Sequence, residues 1–135
     1  MRAVLDANVI ISALLSPGGS PARTLVAWSA GRYELIGSKN LLDELARALA
    51  YPKLRRRVPP DEAERVVRWL WRDATIRPDP DGVPAIRSVD PGDDYLILLA
   101  SAERAVLVTG DDHLLRLRSL IPVASPAEFL ARLDA

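Results

Sequence analysis

The sequence predicts an α/β fold, namely a three-layer α/β/α sandwich around a central, mainly parallel sheet of four or five strands. Short apolar runs typical of strands alternate along the chain with longer segments whose apolar residues recur at helical spacing. Such an alternation forms βαβ units, and their right-handed crossovers place helices on both faces of a parallel sheet. With 135 residues, 49% of them hydrophobic, we expect a single domain over residues 1–135.

The first half of the chain is expected to supply two strands and three helices, separated by proline, glycine and serine. In order they are a strand over residues 2–5, a helix over 7–15, a helix from Pro21 to Gly31, a strand over 33–36, and a helix that begins after Ser38 and ends before Pro52. Leucines at positions 41, 42, 45 and 49 form the apolar face of the third helix. A basic segment, residues 53–57, follows it.

The second half is expected to complete the sheet. In order, its elements are a helix over residues 60–74, a brief edge strand over 75–77, a loop over 78–84, a buried helix over 95–102, a strand over 106–108, a short helix over 111–117, a strand over 121–123 and a terminal helix capped by Ser125. Asp90-Pro91-Gly92-Asp93 is typical of a helix start, with Asp90 as the cap and Asp93 placed to complete a capping box.

The composition limits which metal ligands the chain can offer, how it could bind nucleic acid and where in the cell it is expected. The chain has no cysteine, so any metal must take oxygen ligands or the single His113. The 18 basic and 18 acidic residues cancel, so nucleic-acid binding would have to rest on local clusters. The sequence has neither a recognisable leader nor an apolar run long enough to span a membrane, and we expect a cytoplasmic protein.

Acidic residues follow the ends of two predicted strands. Asp6 comes directly after the first strand, and Asp111 follows the strand over residues 106–108. Parallel sheets bind ligands beyond the carboxyl ends of their strands, where we expect these carboxylates to meet Asp94 and Glu44 from two helices. Several carboxylates in a partly dry cleft repel one another, and a divalent cation is the simplest way to offset that repulsion. The sequence therefore predicts a metal site.

The choice among neighbouring acids rests on expected helix geometry. The capping box with Asp90 would engage Asp93, which leaves Asp94 free to enter the cleft. Asp43 lies opposite the leucine face of its helix, which favours Glu44 as the ligand. Short polar side chains are candidates for orienting a carboxylate or a water molecule there, namely Asn8, Ser12 and Thr109.

Taken in order, these residues resemble the signature of PIN-domain ribonucleases. The resemblance is carried by Asp6-Ala7-Asn8 after the first strand, Glu44 on a later helix, Asp94 six residues before Ala100, and Val108-Thr109-Gly110-Asp111. It extends from residue 2 to about residue 124. Its segment Asp90-Pro91-Gly92-Asp93-Asp94 is most similar to a branch of bacterial and archaeal PIN proteins described as the VapC-type toxins of toxin–antitoxin pairs.

The resemblance implies an endoribonuclease that depends on Mg²⁺ or Mn²⁺ and has a cognate antitoxin protein as its partner. The acidic quartet of the family falls on Asp6, Glu44, Asp94 and Asp111, which would hold the ion and serve catalysis. Some relatives place a further acid where this chain has His113, so one ion is the expectation, and the occupation of a second site stays open.

A basic and aromatic surface is the candidate for holding RNA, because guanidinium groups bind phosphates and rings stack on bases. Its arginines lie in the basic segment and on the helix over residues 60–74, beside Trp69, and are Arg55, Arg56, Arg65, Arg68 and Arg72. The same face is also typical of a solvated or subunit-contacting surface. The chain's 3 tryptophans exceed what a small core easily hides, so we expect a homodimer or a higher homo-oligomer.

Two other functions stay open on the sequence alone. An aspartate after the first strand is also the nucleophile of aspartyl-phosphate phosphatases and phosphotransferases. This chain fits them less well, because residue 8 is Asn8 rather than a second aspartate, and its only lysines are Lys39 and Lys53. The other alternative is a non-catalytic module that keeps a metal site for binding RNA or a protein partner.

Overall fold

The sheet of this protein is wholly parallel, as seen in a computed structural model that describes residues 1–135. Its strands lie in the order β3-β2-β1-β4-β5. They are β1 (Arg2–Leu5), β2 (Glu34–Gly37), β3 (Thr75–Ile76), β4 (Val106–Val108) and β5 (Val123–Ala124). Because all strands run the same way, their C-terminal ends meet along one edge, with β1 at its centre.

Eight helices flank this sheet, so the α/β fold predicted from the sequence is confirmed. They are α1 (Ala7–Leu15), α2 (Ser20–Ser29), α3 (Lys39–Leu49), α4 (Pro52–Arg55), α5 (Pro60–Asp73), α6 (Asp94–Ala102), α7 (Asp112–Leu115) and α8 (Pro126–Asp134). A 3-10 turn, Pro91–Asp93, leads directly into α6. Helix α1 packs against α2 and α3, α2 against α8, α3 against α5, and α6 against β1 and β4.

Caps and prolines explain where most helices begin. Ser38 accepts a hydrogen bond from the Leu41 amide at the start of α3, and proline occupies an early position of α2, α4, α5 and α8. Proline is favoured there because its missing N–H would have no helical partner. At the start of α8, Ser125 and Glu128 exchange side-chain and backbone hydrogen bonds in a complete capping box.

Two elements differ from the sequence-based prediction. The last strand begins at Val123, two residues later than expected, because the Ile121 amide donates to the Leu117 carbonyl and closes a turn instead. The basic segment after α3 contains the one-turn helix α4, in which the Arg55 amide donates to the Tyr51 carbonyl. Both differences involve only local backbone hydrogen bonds and leave the sheet order unchanged.

One apolar cluster of 32 buried residues lies between the sheet and the helices. Residues 3–5 of β1 are fully buried, as expected for the central strand of a covered parallel sheet. Helix α6 buries Leu96, Ile97, Leu99 and Ala100, in agreement with its apolar sequence. None of the eight helices has the length and hydropathy needed to cross a lipid bilayer.

The α8 capping box provides a test of the fold. We expect Ser125→Ala to lower the free energy of unfolding by about 1 kcal/mol, because the Glu128 amide in the first turn of the helix loses its acceptor. Urea denaturation followed by circular dichroism measures the change. Ser29→Ala, at the exposed end of α2, is the control and should change stability by less than about 0.5 kcal/mol; an equal loss in both variants would contradict the role of the cap.

Candidate functional site

The junction of β1 and β4 positions two of the predicted site residues. Leu5 pairs with Val108, so the chains leave the two strands side by side. The Thr109 hydroxyl is fully buried, donates to Asp6 Oδ2 over 2.9 Å and accepts from the Asp111 amide over 3.0 Å. Thr109 thus links the two aspartates by hydrogen bonds at the C-terminal edge of the sheet.

Each of these aspartates also caps a helix. Asp6 Oδ1 accepts from the Asn8 amide over 3.2 Å at the start of α1, and Asp111 Oδ1 accepts from the His113 amide over 2.9 Å at the start of α7. A carboxylate has about four lone-pair positions, so these bonds fix the direction of each side chain without using all of its acceptor capacity. Capping and a role in the site are therefore compatible in the same residue.

The carboxyl of Asp6 is almost completely buried, and burial is the main reason why its pKa is raised. The donors from Asn8 and Thr109 act against this rise, whereas the negative charges of Glu44 and Asp111 add to it. The charge of Asp6 is therefore stabilised by two hydrogen bonds but lacks a nearby cation among the groups that shift its pKa.

The strongest concentration of like charge surrounds Asp93. Burial, followed by the charges of Asp6, Asp90, Asp111 and Glu44, raises the pKa of Asp93 to about 6. Every charged group that contributes to this shift is a carboxylate. Asp93 therefore lies within electrostatic range of the acids at the sheet edge, although the sequence argument assigned it to a capping box.

That capping box does not form, and its absence corrects the expected geometry of the α6 start. The Asp90 carboxylate accepts from the Gly92 amide, while Asp93 makes no capping hydrogen bond. Asp93 ends a 3-10 turn, and Asp94 begins the α-helix.

Asp94, the predicted ligand, is engaged elsewhere. Its Oδ1 accepts from the Ser88 amide over 2.8 Å, and its Oδ2 from Arg87 Nε over 2.6 Å. The Ser88 amide foremost, and then the Arg87 guanidinium, lower the pKa of Asp94. Asp94 therefore anchors the segment before α6, and the charges of Asp6, Glu44 and Asp111 raise the pKa of Asp93 but are not among the causes that shift the pKa of Asp94.

Glu44 reaches the site from α3. Its Oε2 accepts a hydrogen bond from the Tyr95 hydroxyl in the first turn of α6. Burial and the adjacent charge of Glu44 raise the pKa of Tyr95, which therefore remains a proton donor at neutral pH. Asp43, the neighbouring acid, forms an ion pair with Lys39 on the outer side of α3 and makes no contribution to the acidic edge.

Sequence reasoning missed Asp93, Arg87 and Tyr95. For Tyr95 a signal was present, since its hydroxyl is a polar group in a helix that is otherwise mainly apolar and buried. Arg87 gave no such signal, because it lies between β3 and the 3-10 turn, where no periodic pattern indicates what a side chain contacts.

A small polar cleft of about 360 Å³ opens beside Asp111. It contains Asn8 and Ser12, both exposed, so these two predicted supporting residues lie at the site, as does the buried Thr109. Two larger clefts, of about 480 and 690 Å³, contain none of the predicted ligands. The cleft at the acidic edge is thus the smaller, more polar one, and the two larger clefts lie elsewhere.

The predicted RNA-binding arginines are exposed, but most of them have partners within the chain. On α5, Arg65 pairs with Asp61, Arg68 with Glu64 and Arg72 with Asp73. In α4, Arg55 donates to the Ala50 carbonyl, whereas Arg56 has no side-chain hydrogen bond or ion pair.

Trp69 does not present a free ring beside these arginines. It is half-buried and packs against Trp28 with 4.7 Å between ring centroids. Trp71 is 41% exposed and lies at the groove between α3 and α5.

Comparison with known proteins identifies the family of this chain. Residues 2–113, which include Asp6, Glu44, Asp93 and Asp111, match the family model described as PIN domain. The chain belongs to the PIN domain family. The resemblance noted in the sequence is thereby confirmed, and with it the assignment of the protein to a family of nucleases.

Individual relatives of this PIN domain are distant. An uncharacterised protein of Methanocaldococcus jannaschii is 25% identical over 145 residues, a match that covers 99% of this chain and 92% of that protein. Among solved structures, VapBC2 from Rickettsia felis bound to a promoter DNA fragment has a chain with a TM-score of 0.65 and 17% identity, covering 93% of this chain and 98% of that one. VapBC-1 from nontypeable Haemophilus influenzae has a chain with a TM-score of 0.64 and 14% sequence identity, and the match covers 94% of this chain and 99% of that one.

The donor set of this PIN domain suits a hard divalent cation in its chemistry. All candidate ligands are carboxylate oxygens, and the raised pKa of Asp93 shows that their charges are not offset within the chain. No three Asp, Glu or His side chains lie close enough together to hold one ion between them. Magnesium keeps several waters and often binds only one or two carboxylates directly, so this spacing is compatible with a site completed by water and substrate.

The titration of Asp93 gives a prediction for the metal-free protein. Its pKa rises from 3.8 to about 6 on folding, so the folded state holds the proton more tightly and stability is lost as the pH rises through that range. Asp93→Asn removes this loss and should raise the free energy of unfolding above pH 6 by roughly 1 kcal/mol, after allowance for solvent screening. Thermal denaturation in EDTA at about pH 4 and about pH 8 measures the change.

The stabilisation by Asp93→Asn should nearly disappear at the lower pH. Asp61→Asn, which removes an exposed carboxylate on α5, is the control and should show no comparable pH dependence. An Asp93→Asn effect of the same size at both pH values would mean that charge repulsion is not its cause.

Proposed function

We propose that this PIN domain is a metal-dependent endoribonuclease that acts in the cytoplasm as the toxin of a toxin–antitoxin pair. The observation that carries the proposal is the set of mutually repelling carboxylates of Asp6, Glu44, Asp93 and Asp111 at the C-terminal edge of the sheet. Membership of a family of nucleases favours this function over an aspartyl-phosphate enzyme.

Asp6 and Asp93 are the proposed direct ligands of Mg²⁺ or Mn²⁺, with Asp111 bound through water. When bound, the ion supplies Lewis-acid stabilisation of the charge that develops on the phosphoryl group. Asp6 is held in place by Thr109 and by its cap on α1, so it can remain fixed while a substrate phosphate binds. In this proposal Asp93 takes the role of metal ligand that the sequence argument assigned to Asp94.

Glu44 is the proposed group that orients water or accepts its proton. Tyr95 occupies one oxygen of its carboxylate, Oε2, and leaves Oε1 as the free acceptor. A base must come within hydrogen-bonding reach of the proton that it accepts, and Glu44 extends towards the same edge as Asp6 and Asp93.

The exposed polar side chains beside Asp111 suit contact with a polymeric substrate. Asn8 and Ser12 are exposed beside Asp111 and are the proposed contacts to the sugar–phosphate backbone. Arg56 and the exposed arginines of α5 remain candidates for more distant phosphates, although the pairs within α5 weaken that candidacy.

A cognate antitoxin is the proposed protein partner. The structural relatives named above are chains of VapBC complexes. The exposed Trp71 is compatible with an additional contact between copies of this chain. A short gene next to the gene for this chain is the expected source of the antitoxin, and its absence would remove the toxin assignment while leaving the nuclease proposal intact.

Asp6→Asn is expected to lower metal-dependent RNA cleavage by at least about 100-fold, because a buried ligand loses its charge. The fold should persist, since asparagine caps helices as well as aspartate does. Cleavage of a fluorescent single-stranded RNA, with Mg²⁺ or Mn²⁺ and after EDTA, measures the effect.

Asp43→Asn is the matched control for Asp6→Asn. It removes a carboxylate from α3 that pairs with Lys39 away from the edge, and it should retain activity. Undiminished cleavage by the Asp6→Asn protein, or cleavage by the wild type that persists in EDTA, would refute the metal-dependent nuclease.

A comparison of neighbouring substitutions tests which aspartate of the α6 start binds metal. Asp93→Asn should abolish Mn²⁺ binding and cleavage, because it removes a proposed ligand. Asp94→Asn should act mainly on stability, since it disrupts the bonds to Arg87 and Ser88. Isothermal titration with Mn²⁺ and thermal denaturation separate the two effects; loss of Mn²⁺ binding only in the Asp94→Asn protein would restore Asp94 as the ligand.

A further inference from the structure

Tyr95 connects the start of α6 to Glu44 on α3, although the two residues lie 51 positions apart in sequence. It follows Asp93 and Asp94 directly, and the three neighbouring side chains serve different contacts. Asp93 lies within electrostatic range of the other acids, Asp94 accepts hydrogen bonds from Arg87 and Ser88, and Tyr95 donates to Glu44. The first turn of α6 is thus tied to the preceding segment on one side and to α3 on the other.

The Tyr95 contact restricts Glu44 more than the helix alone would. A glutamate side chain has several rotatable bonds and substantial conformational entropy. Among hydrogen bonds within the chain, the one from Tyr95 is the only one that the Glu44 carboxylate makes. Without it, nothing else in the hydrogen-bonding pattern would keep that carboxylate directed at the acidic edge.

In this contact the Tyr95 hydroxyl is the donor and the Glu44 carboxylate the acceptor. A phenol is a neutral donor at neutral pH, so it can bind a carboxylate without neutralising its charge, as an arginine or lysine would. One oxygen of Glu44 is thereby occupied and the other left available. Oε1 carries no hydrogen bond within the chain and keeps its full acceptor capacity, whereas Oε2 has one lone pair taken.

We propose that Tyr95 is a positioning residue, which acts through Glu44 by holding Oε2 and presenting Oε1 to the ion or its water at the acidic edge. This inference rests on the proposed metal-dependent function. Partners of this kind orient metal ligands in many proteins, and their removal typically reduces metal affinity or activity by roughly 10- to 100-fold.

The test is a double-mutant cycle with Tyr95→Phe and Glu44→Gln, read first as Mn²⁺ affinity. The electron paramagnetic resonance signal of free Mn²⁺ gives the dissociation constant directly, without reference to activity. Tyr95→Phe should weaken Mn²⁺ binding roughly 10- to 100-fold while the fold persists. In the Glu44→Gln background the same substitution should have almost no further effect, because the group through which it acts is gone.

Tyr33→Phe is the matched control. Tyr33 is a buried tyrosine whose hydroxyl donates to the Thr24 carbonyl over 2.8 Å, at the opposite end of the sheet from the acidic edge. Its substitution removes a hydrogen bond of the same type and should lower stability without changing Mn²⁺ affinity. A loss of affinity in both variants would show that general loosening of the fold, rather than the Glu44 contact, is responsible.

The outcomes separate the inference from the function on which it rests. Unchanged Mn²⁺ affinity in Tyr95→Phe, together with weakened binding in Glu44→Gln, would overturn the role of Tyr95 alone. An equal loss from Tyr95→Phe with and without Glu44 would also overturn it, because Tyr95 would then act independently. Mn²⁺ binding and RNA cleavage that survive both Glu44→Gln and Asp6→Asn would instead overturn the proposed function.

Discussion

The parallel pairing of β1 with β4 is the constraint on which the site depends. It places the residues after Leu5 and Val108 next to each other. The Thr109 hydroxyl can therefore donate a hydrogen bond to Asp6 and accept one from the Asp111 amide. A shift of this pairing by one residue would turn alternate side chains to the other face and separate the two aspartates. The apolar residues that bury β1 therefore stabilise the alignment of the acids as well as the fold.

Acidic side chains at the two ends of the sheet have different neighbours. At the N-terminal end, Arg2 bridges Glu34 and Glu103, so the acids there have a cation beside them. At the C-terminal end, Asp6 and Asp93 are surrounded by further carboxylates, and the pKa of each is raised. Such an arrangement lowers the stability of the metal-free protein, and residues that serve binding or catalysis commonly carry a cost of this kind.

The sequence was sufficient to predict the sheet and the places of Asp6 and Asp111, because both follow strands whose apolar runs are unmistakable. Glu44 could be separated from Asp43 by helical periodicity, since only one of them borders the leucine face of α3. The order of Asp93 and Asp94 could not be obtained in this way. It depends on a 3-10 turn before α6 and on the contact with Arg87, and neither follows a repeating pattern. The Tyr95 contact with Glu44 is equally beyond such patterns, because it joins two helices distant in sequence.

The arginines of helix α5 form ion pairs with acidic residues of the same helix, such as Arg68 with Glu64 and Arg72 with Asp73. Such exposed pairs add little stability, yet they leave the face with almost no excess positive charge. A polyanion lying along α5 would displace few condensed counterions, so its attachment there would respond only weakly to ionic strength. Discrimination among nucleic acids would then have to come from the shape of the chain that reaches the carboxylates, not from long-range attraction.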